Sequence, residues 1–242
     1  MAQTTPIEWT DATWNPVTGC TKISAGCDNC YAERFAERFR GVPGHPFETG
    51  FDLTVRPSRL GQPLLWKKHR KIFVCSMSDL FHKDVPKAFV DRVFDTMDAA
   101  YWHTFQILTK RASRMRAYIN ARYPDGAPAH IWMGVTVENQ AMADKRIPAL
   151  RATRAAVRFL SVEPLLGVLG KLDLRGIHQV IVGGESGPGF RPLDVDAVRA
   201  VRDQCIAAHV AFFFKQHGGF RPKENGRDLD GRTWGEFPEG VA

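Results

Sequence analysis

From residue 70 onward the chain alternates between two kinds of hydrophobic pattern. Short apolar, β-branched runs recur at Ile72–Cys75, Phe105–Leu108, Ile131–Val135, Val157–Leu160, Val180–Val182 and Val210–Phe214. Such runs read as strands buried on both faces, the condition of strands in a parallel sheet. Between them lie stretches of helical spacing. Phe89, Val90, Val93, Phe94 and Met97 fall on one face of a helix predicted over 86–100, with Pro86 suited to its first turn. Further helices are predicted over 112–122, 140–151 and 194–208, and 165–174 reads as a Gly-rich loop or short helix. Upstream, Thr13–Asn15 and Leu53–Arg56 are read as two more strands, with helices over 31–39 and 60–69. Eight β-α units predict a parallel (β/α)8-type, TIM-like barrel, closed or incomplete; a doubly wound open sheet is the alternative. We expect one barrel domain over 1–242, with a cysteine loop at 20–30 and a loop-rich tail at 218–242 anchored by Trp234.

In such a barrel the chemistry sits where strands end. Here the runs end in Ser78 and Asp79, then Lys110, then Glu138, then Glu163. The last two end in Gly183-Gly184-Glu185-Ser186 and in Lys215. Asp79, Lys110, Glu138, Glu163 and Lys215 are the candidate catalytic residues. Ser78, Gly183, Gly184, Glu185 and Ser186 are the candidate cofactor-binding residues, because glycines let backbone approach a ligand closely. All are expected around one cavity, with opposite charges pairing.

Composition adds charge and thiols. The 242 residues carry 33 Lys and Arg against 26 Asp and Glu, a formal charge of +7, which points to an anionic partner such as DNA, RNA or a nucleotide. Arg34, Arg38 and Arg40, and the run Trp66-Lys67-Lys68-His69-Arg70-Lys71, are the candidate contacts. No apolar run is long enough for a membrane helix and no signal-peptide pattern opens the chain, so a cytoplasmic protein without a membrane partner is expected. Cys20, Cys27 and Cys30 have the spacing C-x6-C-x2-C, just after the first strand. Three clustered thiols read as ligands of a [4Fe-4S] cluster with one open iron, or of zinc completed by His45 or His82. Cys75 and Cys205 read as core residues.

The stretch IEWTDATWNPVTGC, followed by Cys27-x2-Cys30-Tyr-Ala-Glu, resembles the opening of the phage-type three-cysteine-motif proteins. FVCSMSDLFH, ILTKR, MGVTVEN, RFLSVEPLL, VGGESGPGFRPL and FFFKQHGG extend the resemblance along nearly the whole chain. That cysteine cluster is similar to the one in radical S-adenosylmethionine enzymes, although their first gap is three residues rather than six. The resemblance implies a radical enzyme using a [4Fe-4S] cluster, S-adenosylmethionine and a reducing electron donor on an anionic substrate, for nucleic-acid modification or repair. The alternatives are a zinc-stabilised nucleic-acid-binding protein and a metal-dependent nucleic-acid hydrolase.

Overall fold

The computed structural model describes residues 5–221 and 223–238. Seven parallel strands form one sheet: β1 (Ala12–Trp14), β4 (Lys71–Val74), β5 (Thr104–Thr109), β6 (Ile131–Thr136), β7 (Arg158–Val162), β8 (Gln179–Gly183) and β9 (Ala211–Gln216). Their spatial order is their chain order, each pairing with the next, and no ladder joins β9 back to β1. The sheet is therefore an incomplete, TIM-like (β/α) barrel. Two-residue strands lie outside it: β2 (Val17–Thr18) pairs with β3 (Thr54–Val55), and β10 (Asp228–Leu229) with β11 (Arg232–Thr233), both antiparallel.

Why the strands read as continuous apolar runs is visible in the two cores. Alternate residues face outward toward the helices: Ile72 and Val74, Phe105 and Ile107, Leu160 and Val162, Val180 and Val182, Phe212 and Phe214. The residues between them turn inward, where Phe73, Trp132, Phe159, Ile181 and Phe213 close on Trp9 and plug the lower half of the barrel. The described residues form five α-helices, α1 (Tyr31–Glu37), α2 (Lys87–Ala99), α3 (Ala112–Arg122), α4 (Gln140–Arg151) and α5 (Val195–Ala207), and α2 to α5 bury apolar residues in the outer core. The last two start from side-chain caps, Asn139 accepting from the Met142 amide and Asp194 from those of Asp196 and Ala197. No described helix is long and apolar enough to cross a membrane.

Two expected units are incomplete. Leu53–Arg56 supplies only the two residues of β3, which leave the barrel to clamp β2. The helix expected over 60–69 is replaced by 3-10 turns at Pro57–Arg59 and Pro63–Leu65, because Pro63 and Gly61 interrupt the helical run. The segment between β7 and β8 contains no helix, yet Leu165, Leu169, Leu172 and Leu174 are buried in the outer core and do a helix's work of covering the sheet. In the tail, Trp234 is buried and donates its indole N–H to the Leu229 carbonyl at 3.2 Å, while residues 222 and 239–242 lie outside the described chain.

Backbone crowding at the top of β8 and β9 makes one glycine obligatory. A Cβ on Gly184 would lie 2.0 Å from the His217 carbonyl oxygen. Gly184→Ala is expected to lower stability by about 1–3 kcal/mol through forced separation of these strand ends, read as a reduced melting temperature.

Candidate functional site at the barrel mouth

The alternation that points Phe159, Ile181 and Phe213 inward continues to the strand ends. It carries Glu163, Glu185 and Lys215 to the mouth from β7, β8 and β9. Lys110 and Glu138 follow β5 and β6 in the same way. Four carboxylates and four cations pair there. Lys215 Nζ lies 2.5 Å from Glu163 Oε1, an inward pair across the intervening β8. Glu163 leans over Gly183, where a Cβ would stand 3.3 Å from its carboxyl carbon, so the bare backbone of β8 leaves room for the pair.

Asp79 accepts from Arg111 Nη1 at 2.8 Å, from the Thr109 hydroxyl at 2.7 Å and from the Phe81 and Lys110 amides. Glu138 is fully buried and takes Arg146 Nη1 at 2.7 Å. Burial by itself would raise its carboxyl, but Ser24, Arg146 and Lys110 around it bring it below the usual range. Gly26 of the cysteine loop rests on this side chain, where a Cβ would stand 3.1 Å from the Glu138 carboxyl carbon.

Glu185 is the most heavily bonded. It accepts from the Arg191 amide at 2.9 Å, from Arg191 Nε at 3.0 Å and Nη2 at 2.6 Å, and from Asn29 Nδ2 at 2.9 Å. Asn29 also donates to the Gly189 carbonyl and accepts from Arg34 Nη2. Arg191 reaches the Ala25 carbonyl at 3.0 Å and Asp28 at 3.4 Å. The cysteine loop is thereby tied to the Gly-rich turn after β8.

Ser78, Gly184 and Ser186 serve this framework. The Ser78 hydroxyl donates to the Val17 carbonyl at 2.9 Å, and Ser186 accepts from Gln216 Nε2 at 2.9 Å. Among the described residues singled out from sequence, only Glu163 and Lys215 form an ion pair with each other. The partners Arg111, Arg146, Arg191 and Asn29 were not anticipated. Arg111 and Arg191 stand inside the motifs ILTKR and GFRPL, where a carboxylate at a strand end calls for a cation, but sequence leaves open which one.

The thiols do not behave as the metal site expected of them. Among the described residues no group of three or more His, Cys, Asp or Glu side chains is placed to hold a metal ion. Cys20 is engaged elsewhere: its sulfur accepts from Arg111 Nη1 and donates to the Thr21 carbonyl, each at 3.6 Å. Burial, and then the neighbouring Asp79, raise its thiol above the ordinary value. Nor are the two histidines free. His45 stacks on Phe39 at 3.8 Å, and buried His82 bonds the Thr21 hydroxyl at 2.8 Å. The residues present therefore do not fit a [4Fe-4S] cluster or zinc. The expected S-adenosylmethionine chemistry, its electron donor, the radical-enzyme reading, the zinc-stabilised alternative and the metal-dependent hydrolase are corrected on the same ground. Cys75 and Cys205 are core residues, their buried thiols pushed up to about 12.

The basic residues fall in two places. Arg34 lies at the mouth beside Asn29, whereas Arg40 is spent on Glu37 and Asp52. The run 66–71 precedes β4 and lies at the opposite end of the barrel.

A family model described as "Protein of unknown function (DUF5131)" matches residues 4–238. The chain belongs to this family. The resemblance to three-cysteine-motif and radical enzymes does not carry their metal site, for the reason given above. No curated protein matches the chain. Among solved structures, it is similar to a spore photoproduct lyase mutant, with a TM-score of 0.53 at 12% identity. A second mutant of that lyase, with bound AdoMet and dinucleoside spore photoproduct, gives a TM-score of 0.52 at 12% identity. Each match covers 84% of this chain and 63% of the other, so the chain spans less than two thirds of those structures, and the likeness is one of fold.

Burial works to raise the Glu185 carboxyl, but the bonds from Arg191 and Asn29 outweigh it and hold the group below its usual range. A lowered folded-state value stabilises the protein fully above the ordinary Glu value, and that contribution is lost as pH falls through the lowered one. Denaturation midpoints are expected to fall over that acid window, and Glu185→Gln to flatten the fall.

Proposed function

We propose that the chain binds nucleic acid as a single strand or a nucleotide unit at the barrel mouth, with a phosphate seated at Lys110. The observation that carries this reading is a charge left over. Arg111, Arg146, Arg191 and Lys215 each hold a carboxylate of the rim. Lys110, half-buried among them, forms no ion pair with any described residue, and only its amide is engaged, with Asp79. A cation kept in place by a neutralised surround and partly shielded from water is suited to an incoming anion.

Further support comes from what flanks the mouth. Tyr31 is 55% exposed at the start of α1, its hydroxyl donating to the Ser76 carbonyl at 2.6 Å, and Phe220 is 57% exposed beyond β9. Rings held at a charged opening offer stacking faces to bases. Glu163 and Lys215 present an acceptor and a donor side by side, able to meet a base edge. The net charge of +7 and the fold likeness to a protein crystallised with a dinucleoside agree with this class of ligand.

Fluorescence anisotropy with a short single-stranded oligonucleotide tests the proposal. Binding should weaken with salt, and Lys110→Ala should lower affinity about tenfold and the salt slope by about one. No binding at low salt, or an unaltered affinity in the variant, would contradict it.

A further inference from the structure

The charge of the chain is unevenly placed. Residues 53–78 contain six Lys and Arg and not one Asp or Glu, so this segment supplies +6 of a net +7. Arg56 and Arg59 are turned onto the backbone carbonyls of Pro46 and Asn15, and Lys71 lies over the Phe237 ring at 3.6 Å. That leaves Lys67, Lys68 and Arg70 at the floor of the barrel, the end away from the mouth.

Beside them the surface is apolar and raised. The 3-10 turn Pro63–Leu65 carries Leu64, 38% exposed, and Leu65, 75% exposed. Tyr101, 71% exposed, stands next to it. These groups form one patch. His103 Nε2 contacts the Pro63 carbonyl at 3.1 Å, and Trp102 donates its indole N–H to the Trp66 carbonyl at 2.8 Å. Tyr101 packs edge-on against Trp102. The turn is thus braced from behind, and Leu65 projects from a firm base.

We propose that this floor patch is a docking surface for duplex DNA, separate from the mouth, in which Lys67, Lys68 and Arg70 contact phosphates and Leu65 enters a groove as an apolar wedge. Charge complementarity selects a polyanion. The rings argue against a single strand here: Trp66 and Trp102 are half-buried and the Trp66 face is taken by Arg70 at 5.1 Å, which leaves only Tyr101 largely free to stack. Projecting aliphatic side chains flanked by cations are how proteins unstack and kink a duplex from its minor groove. A second copy of the chain is disfavoured as occupant, since two such cationic patches repel.

The test uses duplex DNA labelled at both ends, followed by anisotropy across a salt series and by energy transfer between the ends. Lys67→Ala and Lys68→Ala should each lower the salt slope by about one. Leu65→Ala should leave that slope in place and remove the change in energy transfer that reports a kink. All three positions are exposed, so unchanged melting temperatures confirm folding. Absence of duplex binding at low salt, binding indifferent to all three substitutions, or a Leu65→Ala protein that still kinks the DNA would overturn the proposal. So would preferential sedimentation with phosphatidylcholine–phosphatidylglycerol vesicles that Leu65→Ala abolishes. Because the mouth is probed with a single strand and Lys110→Ala, failure at one end is distinguishable from failure at the other.

Discussion

The carboxylate of Glu185 holds the top of the barrel together. It leaves β8 beside two glycines, is only 7% exposed, and gathers four hydrogen bonds from Arg191 and Asn29. Through Asn29 it fixes the cysteine loop, and through Arg191 it reaches the Ala25 carbonyl in the same loop. A buried carboxylate is costly unless saturated in this way. With the loop held down, Gly26 lies against Glu138 and Cys20 meets Arg111.

Charge in this molecule is divided by location. The mouth is rich in ionisable groups and nearly balanced, and Lys110 and Arg34 are cations there that form no ion pair with any described residue. The segment Leu53–Ser78 carries the excess without a compensating acid of its own, and three of its six cations, Lys67, Lys68 and Arg70, stand at the floor. A net charge summed over the chain hides that division. The number +7 pointed toward an anionic partner but could not say that the densest run, Lys67 to Lys71, sits at the end of the barrel remote from the strand-end carboxylates.

Much of the fold was legible because hydrophobic periodicity reports burial directly. Helices α3 and α4 begin and end where the pattern placed them, and the six apolar runs from Ile72 to Phe214 all became parallel strands. The first 70 residues were less legible. There the prolines and glycines around Leu60 break a helical pattern into single turns, and β3 is too short to join the sheet. At the site, the position of Glu163 and Lys215 just past strand ends singled them out, and the alternation of strand residues brings them together. Spacing could not locate thiols. Cys20 is bound by a guanidinium from a residue 91 positions away, a competitor that the interval between Cys20, Cys27 and Cys30 does not contain. The cysteine motif therefore marked the right loop and misassigned what fastens it.

The central claim is that a carboxylate–guanidinium clasp, rather than a metal, fastens the loop over the mouth. Amide hydrogen exchange over residues 20–30 of chelator-treated protein, compared with Arg191→Ala, tests it most directly. The account predicts slow exchange in the chelator-treated wild type and fast exchange in the variant. Fast exchange in the wild type after chelation, restored to slow by adding metal, would contradict it.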